Sequence, residues 1–540
     1  MTWQTKKQLV KLLVDLVEHA SITGSQGEIA LAEYLYSLLK EKKYFQQHPE
    51  YLQLHPVPDG RSFLTAFVKQ VESEETVVLL SHFDVVEVQD YGDLTDLAFR
   101  PVELTQELKK RNAQMPKAAS EDLESDEWLF GRGTMDMKAG ISVQLAMLER
   151  AMSGEFNGNI LFISVPDEEV NSAGMQSAVP VLDELKKRYG LTYKACVNSE
   201  PMFAKYPNDQ NHYIYTGSIG KVLASFYCNG IETHVGEPFS GLNANLILSE
   251  INRLMELNDS FCEQVGDEVT PPPTSLMMRD LKQEYSVQIP HASVSMYNLL
   301  MMNRPFSELH KKLVNVAKEA AVNVERFYQD RVQRYNKFIP FTPLDRKINV
   351  FTYKELLQKA INKYGDQEVE RRINSLLTHR GVEDDRDFST KLVGELVGLC
   401  KEYSPMIVLF YSPPYYPAVS SKENELIQKT VDRVVTHAKK VYQIDLKQQH
   451  YFPGLCDLSF VQLHDDRQSI ARLTTNMPLY GNHFSLPLKE MQSLNIPVLN
   501  IGPVGRDPHK WTERLHIPYA FETYPELLCF SIKSIFNEDE

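Results

Sequence analysis

Acidic residues and histidines recur in five short segments of this chain, and their side chains are of the types that bind divalent metal ions. The segments are Ser-His-Phe-Asp at residues 81–84, Gly-Arg-Gly-Thr-Met-Asp at 131–136, Asp-Glu-Glu at 167–169, Asn-Ser-Glu-Pro at 198–201 and Pro-His-Lys-Trp-Thr-Glu at 508–513. Taken singly, each segment is more typical of a turn, a helix start or a structural histidine. Their occurrence together in one chain indicates a metal site.

Two metal ions a few ångströms apart require oxygen and nitrogen donors in balanced number, usually with one carboxylate that contacts both ions. The predicted ligands supply two imidazoles and three carboxylates: His82, Asp136, Glu169, Glu200 and His509. This donor set suits zinc, and it is also compatible with manganese or cobalt. We therefore expect two divalent metal ions, with zinc as the first choice.

Two further acidic residues have the type and position for roles beside the metal ligands. Glu168 is adjacent to the predicted ligand Glu169, and a carboxylate that is not a ligand can accept a proton from water and later return it. Asp84 lies two residues from His82 on the same face of a predicted strand, where it can fix the imidazole tautomer. Both are predicted to be catalytic residues.

The candidate ligands fall where predicted strands end. Two helices open the chain, at residues 6–20 and after Ser25, and apolar runs at about 62–70, 76–86, 159–166 and 193–198 follow with helical patterns between them. Such runs indicate buried strands of a mostly parallel sheet. Ligands of open α/β sheets gather at the carboxyl ends of the strands, which explains the clustering of acidic residues there.

The sequence pattern changes near residue 212 and changes back near residue 413. We predict an α/β domain made of residues 1–212 and 413–540, interrupted by an inserted α+β domain of residues 213–412. The inserted part contains long charged helical patterns at about 306–338, 353–378 and 387–402. Residues 103–127 are rich in charged residues and are predicted to be a solvated surface insertion.

Composition excludes several classes of partner and location. The 540 residues include 57 basic and 72 acidic side chains, a net charge of −15, which argues against nucleic acid or an anionic membrane as a partner. The six cysteines are widely scattered and are predicted to be reduced thiols of a cytoplasmic protein. The first residues lead into an amphipathic helix without the uninterrupted apolar core of a signal peptide, so we do not expect one, and no apolar stretch has the length that spanning a bilayer requires.

The order of the segments resembles the M20 family of metallopeptidases and amidohydrolases. The similar segments are residues 81–86, 129–138, 166–170, 198–201 and 508–513. This resemblance implies that Asp136 bridges two metal ions, that Glu169 and His509 complete one site, and that His82 and Glu200 complete the other. It also implies that Glu168 is the general base and that the peptide bond after Asp136 is cis.

The resemblance extends to the inserted domain, which it implies is a lid on a zinc-exopeptidase-like catalytic domain. Residues 232–244 are similar to a family segment whose histidine stabilises the developing oxyanion, so His234 is a third predicted catalytic residue. In several relatives that histidine acts across a dimer, which allows a homodimer through the lid. Gly-Leu-Cys-Asp at 454–457 matches a family turn and gives Asp457 a supporting role.

Three features depart from the general family pattern: the lid of about 200 residues, the insertion at 103–127, and the segment around His483 at 481–487. They resemble the arginine-utilization (RocB-like) branch of the M20 family. The branch name does not imply the substrate, because fold and catabolic association do not determine specificity.

Two hypotheses of function remain open from the sequence. The first is a hydrolase that cleaves an amide bond of a small peptide or an N-acyl amino acid with two metal ions. The alternative is a catalytically silent metal-site scaffold or amino-acid sensor of arginine catabolism. Metal content combined with a screen of dipeptides and N-acyl amino acids would distinguish them.

Overall fold

The computed structural model describes residues 1–70, 73–206, 209–342 and 347–537. The chain forms two compact units, the first made of Met1–Ile219, Pro417–Leu463 and Leu486–Glu540, the second of Gly220–Tyr416 and His464–Ser485. The predicted boundaries differ from these units at three places: residues 213–219 belong to the first unit, and residues 413–416 and 464–485 belong to the second. The roles of catalytic domain and lid stay predictions.

An eight-stranded mixed sheet forms the framework of the first unit. Its strand order is Leu52–Pro56, Ser62–Val68, Asn159–Val165, Glu75–His82, Thr192–Asn198, Val498–Asn500, His212–Tyr215 and Leu446–Gln449. The four central strands, from Asn159–Val165 to Val498–Asn500, are parallel to one another, whereas the pairs at the Leu52–Pro56 edge are antiparallel. The predicted α/β class is confirmed, and the parallel character belongs to the centre of the sheet.

The helices of the first unit pack their apolar residues against this sheet, against one another or into a small separate core. The α-helices are Lys6–Val17, Gln26–Lys40, Lys43–Gln47, Pro101–Lys110, Lys117–Glu124, Ala139–Met152, Ala173–Tyr189, Glu425–Tyr442, Leu488–Leu494 and Tyr524–Ile535. Lys6–Val17 begins at a capping box between Thr5 and Gln8 and buries residues at helical spacing. Of the helices in the described part of the chain, none has the length and apolar character that crossing a lipid bilayer requires.

The prediction that residues 103–127 are a solvated surface insertion is only partly correct, because most of these residues are exposed but the segment also has a buried face. The helices Pro101–Lys110 and Lys117–Glu124 bury one face each and contribute to a separate small core. The buried residues of this core are Val88, Tyr91, Leu94, Ala98, Leu104, Leu108, Ala119, Leu123 and Phe130. The apolar residues of this segment recur at helical spacing, but charged residues outnumber them, so the segment was interpreted as solvated although its helices are amphipathic.

The second unit is built on a five-stranded sheet in the order Thr274–Asp280, Ala292–Met301, Gly220–Asn229, Met406–Tyr416 and Asn349–Thr352. Its α-helices are Ala244–Met255, Phe306–Tyr335, Tyr353–Tyr364, Asp366–Thr378, Asp385–Leu399 and Arg467–Thr474. The helix predicted over 353–378 is two helices, because Gly365 has a φ of 81° that ends the first one.

Two leucines of this second sheet provide a matched test of its core. Leu409 is fully buried in Met406–Tyr416, whereas Leu276 is 54% exposed on the edge strand Thr274–Asp280. We expect Leu409→Ala to lower the free energy of unfolding by about 2–5 kcal/mol, because it leaves a cavity in a packed interior. Leu276→Ala should change it by no more than about 0.5 kcal/mol. Urea unfolding followed by circular dichroism measures both, and equal losses would contradict this packing.

Candidate metal centre

The turn that carries Asp136 is fixed by a buried acidic residue from the far end of the chain. The Gly133 amide donates to Glu513 Oε1 at 2.7 Å, and Arg132 Nη1 donates to Glu513 Oε2 at 2.7 Å. Gly133 has a φ of 76°, and a Cβ atom there would lie 2.8 Å from a methyl group of Val85, so the position requires glycine. The predicted cis peptide bond after Asp136 is present.

Asp136 lies between two imidazoles that come from opposite ends of the first unit's sequence. Its Oδ1 is 3.3 Å from His82 Nε2, and its Oδ2 is 3.4 Å from His509 Nε2. Each carboxylate oxygen therefore faces a different histidine. This is the arrangement that a carboxylate shared by two cations requires.

Three overlapping groups of side chains bring ligand atoms within 4.8 Å of one another. The groups are His82, Asp136 and Glu200; Asp136, Glu169 and His509; and His82, Glu168 and Glu169. The first two have the membership that the family resemblance implied for the two metal sites, and they share Asp136. The third brings Glu168 to the same place, with Oε2 3.9 Å from His82 Nε2.

His82 ends the central strand Glu75–His82, and its ring orientation is fixed by Asp84. The Nδ1–H group donates to the main-chain carbonyl of Asp84 at 3.0 Å, which leaves Nε2 as the nitrogen that faces Asp136. The Asp84 carboxylate is more distant, at 3.5 Å from Nδ1. Asp84 thus orients the imidazole mainly through its backbone, where the sequence analysis had expected its carboxylate.

The Asp84 carboxylate instead fixes the backbone of the two adjacent glutamates. Its Oδ1 accepts from the Glu168 amide at 3.0 Å, and its Oδ2 accepts from the Glu169 amide at 3.2 Å and from the Thr23 hydroxyl at 2.8 Å. Asp84 is fully buried. One carboxylate therefore connects the ends of two neighbouring parallel strands.

Asp167, just before these glutamates, has a φ of 71° and is held by a buried ionic network. Its amide donates to Glu28 Oε1 at 3.0 Å, and its carboxylate lies 3.0 Å from Arg61 Nη2. Arg61 Nη1 also donates to Glu28 Oε2 at 2.8 Å. These contacts stabilise a backbone conformation that is unfavourable for a residue other than glycine.

Glu200 follows the strand Thr192–Asn198 and lies in a closely packed turn. Its carbonyl accepts from Asn500 Nδ2 at 3.2 Å, and a Cβ atom on Gly502 would lie 2.0 Å from that carbonyl oxygen. Glu200 Oε1 is buried and has no hydrogen-bond partner among the described residues, although it is 3.5 Å from His82 Nε2. A buried carboxylate oxygen without a hydrogen bond is costly unless a cation binds to it.

Carboxylates raise the pKa values of both histidines. Burial alone would lower the pKa of His82, but the charge of Glu200 and other nearby carboxylates raises it well above its ordinary value. Burial also disfavours charge on His509, yet its hydrogen bonds with Asp136 and Glu169 raise its pKa to about 11. Both imidazoles are therefore stabilised in the cationic form.

The positive charge of the two histidines lowers the pKa of some of these carboxylates more than that of others. Burial raises the pKa of Glu200 well above its ordinary value, and the charges of Asp136 and Glu169 raise it further. Burial acts in the same sense on Asp136, but hydrogen bonds with His509 and His82 hold its pKa far below the ordinary value. The donor set thus has more negative charge than two histidines balance, and it fits divalent cations.

His234, His483 and Asp457 are not members of these three groups. His234 is in the second unit, on an exposed turn, and His483 lies in an exposed turn of the same unit. Asp457 belongs to the first unit and is buried, and its charge raises the pKa of Glu168 in addition to the larger effect of burial. Its proximity to Glu168 agrees with a supporting position.

Sequence reasoning missed several residues that hold the site. Glu28 and Arg61 were not singled out, and Glu513 was noted only as the end of the last segment. Glu28 lies in the first turn of the helix Gln26–Lys40, and its side chain accepts from the Gly24 amide at 2.6 Å. An acidic residue in the first turn of a helix usually indicates a local capping contact, so the contact of Glu28 with the Asp167 amide could not be inferred from the sequence.

A model of one peptidase family matches the chain over residues 78–464, which include all the segments of the cluster except the last histidine. That family is peptidase family M20/M25/M40. The chain belongs to it. It is therefore a hydrolase of the M20 type.

Relatives of this M20 hydrolase cover nearly its full length. It is 55% identical over 540 residues to the uncharacterized protein YqjN of Bacillus subtilis (strain 168), with 100% of this chain and 98% of YqjN covered. It is 32% identical over 531 residues to protein RocB of the same organism, with 96% and 93% covered. The resemblance to the RocB-like branch is confirmed.

A solved structure has the same fold. The M20 family metallo-carboxypeptidase Sso-CP2 from Sulfolobus solfataricus superposes with a TM-score of 0.54 at 12% identity, covering 98% of this chain and 99% of that one. At this identity the likeness concerns the fold alone.

Asp84 offers a test of how the M20 hydrolase holds its ligands. We expect Asp84→Asn to weaken metal binding by about 10- to 100-fold. The asparagine side chain has only one acceptor oxygen, so its NH2 group would face the backbone N–H of Glu168 or of Glu169 without a hydrogen bond. Calorimetric titration of the metal-free protein with Zn²⁺ measures the affinity. Asp93→Asn is the matched control, since the Asp93 side chain is 76% exposed and forms an ion pair with Arg111 at the surface. Equal affinities in the two variants would show that Asp84 has no such role.

Proposed function

We propose that this protein is a dinuclear metal-dependent hydrolase that cleaves an amide bond of a small peptide or an N-acyl amino acid. The observation that carries the proposal is the position of Asp136, whose two oxygens face His82 and His509 separately. In this proposal His82 and Glu200 would hold one ion, Glu169 and His509 would hold the other, and Asp136 would be a ligand of both. Two divalent ions at these positions would polarise the amide carbonyl and lower the pKa of water.

Glu168 is the proposed general base. Its carboxylate lies 3.9 Å from His82 Nε2 and is buried, while its backbone is fixed by Asp84. In the proposed reaction Glu168 accepts a proton from the attacking water as the new C–O bond forms. It then returns that proton to the amine nitrogen as the C–N bond breaks, so that no net proton is gained or lost.

His234 is the proposed donor to the oxyanion. Its Nδ1 accepts a hydrogen bond from the Gly236 amide at 3.1 Å, so the neutral imidazole carries its proton on Nε2. The turn itself is held by backbone hydrogen bonds: the Val235 amide donates to the Val287 carbonyl, and the Ile289 amide donates to the Thr233 carbonyl. A histidine in this tautomer presents one N–H donor, which is what a developing negative charge on oxygen requires.

The substrate class and the setting are proposed from the relatives. The name of Sso-CP2 indicates peptide cleavage with a metal ion, which is consistent with an amide substrate. Similarity to RocB supports a role in arginine utilization without defining the bond that is cleaved. We propose zinc as the metal from the imidazole and carboxylate donors, and the cytoplasm as the location because all six cysteines are free thiols. A homodimer through the second unit is a further part of the proposal.

The role of Glu168 predicts a loss of rate without a loss of metal. We expect Glu168→Gln to lower kcat by about two to four orders of magnitude, because the amide cannot accept the proton. Turnover on a substrate found by screening dipeptides and N-acyl amino acids measures the rate, and elemental analysis measures the metal content.

Glu184→Gln is the matched control for this experiment, since Glu184 is exposed on the helix Ala173–Tyr189 of the same unit. Unchanged turnover in Glu168→Gln would exclude the general-base role. A fall in metal content together with the rate would instead identify Glu168 as a ligand, which its place in one of the three groups permits.

The role of Asp136 predicts a different pattern. We expect Asp136→Ala to lose both metal ions, because this carboxylate is a member of both proposed sites. Metal content after dialysis at neutral pH measures the loss, with the exposed Asp93→Asn as control. Retention of two ions would refute the shared ligand, and binding of neither ion by the unaltered protein would refute the dinuclear proposal as a whole.

A further inference from the structure

We propose that Asp122 is a positioning residue for His509. Asp122 lies on the helix Lys117–Glu124, within the segment that the sequence suggested was a solvated insertion. Its carboxylate is the counter-charge that holds two arginines, one on each side of the turn that carries His509. This inference rests on the proposed role of His509 as a metal ligand.

The His509 turn is closed by a short antiparallel pair of strands, Gly505–Arg506 and Arg514–His516. In this register Arg506 and Arg514 are directly opposite each other. Two like charges at opposite positions of an antiparallel pair repel and would open the turn. The turn therefore requires an acidic group that contacts both guanidinium groups.

Asp122 supplies that acidic group. Arg506 Nη1 is 2.8 Å from both carboxylate oxygens of Asp122, and Arg514 Nε donates to Oδ2 at 2.7 Å. The Arg514 side chain is 1% exposed and that of Asp122 is 11% exposed. A guanidinium buried to this degree needs its partners, because an unpaired buried charge is strongly unfavourable.

Arg514, which binds Asp122, also donates hydrogen bonds to two residues of the turn. Its Nη1 donates to Asp507 Oδ2 at 2.5 Å and to the Thr512 carbonyl at 2.9 Å. Asp507 also accepts from the Thr512 hydroxyl at 2.9 Å. Asp507 and His509 both have positive φ values, 57° and 61°, so the turn keeps an unfavourable backbone conformation that these contacts must maintain.

Apolar packing ties the Asp122 helix to the same turn. Leu123 and Ala119 belong to the small core of this segment, against which Trp128 and Trp511 pack. Trp511 is two residues from His509, and the Arg506 and Arg514 guanidinium groups lie over the Trp128 ring at 4.9 and 5.6 Å. The helix is thus packed beside the turn, as a positioning group requires.

The test is a calorimetric titration of the metal-free full-length protein with Zn²⁺. The binding step that is lost in His509→Ala identifies the ion held by His509. We expect Asp122→Asn to weaken that step by about 10- to 100-fold while the other step stays unchanged, as for outer partners of metal ligands. Asp122→Glu should restore much of the affinity, because a carboxylate is again available to both arginines.

Asp126→Asn is the matched control. Asp126 lies just after the same helix, is exposed, and pairs with Lys109 rather than with the His509 turn. The Asp126→Asn variant should bind both ions with the affinities of the unaltered protein. If Asp122→Asn does not fold, judged by circular dichroism, the same measurement is made on Arg506→Gln. This substitution removes a guanidinium group that is partly exposed and contacts Asp122.

Each outcome decides one question. A folded Asp122→Asn with both affinities unchanged overturns the inference, and so does an unchanged Arg506→Gln if that variant has to be used. Weakening by Asp122→Asn without recovery in Asp122→Glu also counts against it, since general damage to the segment would then explain the loss. If His509→Ala itself keeps both steps, the proposed ligand set fails, which is distinguishable from failure of Asp122.

Discussion

Carboxylates buried at the ends of neighbouring strands are the constraint on which the rest of this structure depends. Glu168 and Glu200 compete with Asp136 for the positive charge of only two imidazoles. Such a cluster is stable only if cations neutralise it or if protons do, because charge repulsion is strong where water is excluded. The two histidines with raised pKa values supply part of that charge in the protein itself. The same excess of negative charge makes the cluster suitable for divalent ions.

The protein holds this cluster through side chains that bind backbone amides. Asp84 accepts from the Glu168 and Glu169 amides, Glu28 from the Asp167 amide, and Glu513 from the Gly133 amide. In each case a buried carboxylate fixes the main chain beside a predicted ligand. Charged acceptors form stronger hydrogen bonds to N–H groups than neutral ones do, which suits them to fixing the main chain at these positions, one of which, Asp167, has a φ of 71°.

The sequence alone was sufficient for the residues that end strands. His82 ends one apolar run and Glu200 follows another, and the character of both runs is set by burial on both faces of a central sheet, so their common location could be inferred from the sequence. Arg132 and Glu513 are 381 residues apart and follow no periodic pattern, so their contact could not be inferred. Charge density also misled the interpretation of residues 103–127, because a helix with one narrow apolar face reads as polar when most of its positions are charged.

The two proposed metal positions differ in how their ligands are supported, and this difference has a consequence. His82 is 1% exposed and ends a strand that is hydrogen-bonded on both sides, so the sheet fixes its place. His509 is 47% exposed and lies in a turn held by ion pairs and side-chain hydrogen bonds. Ion pairs tolerate fewer changes than a strand ladder, since loss of one partner leaves the other charge unpaired. The metal affinity of the proposed position that contains His509 should therefore depend more on residues that are not metal ligands than the affinity of the His82 position does.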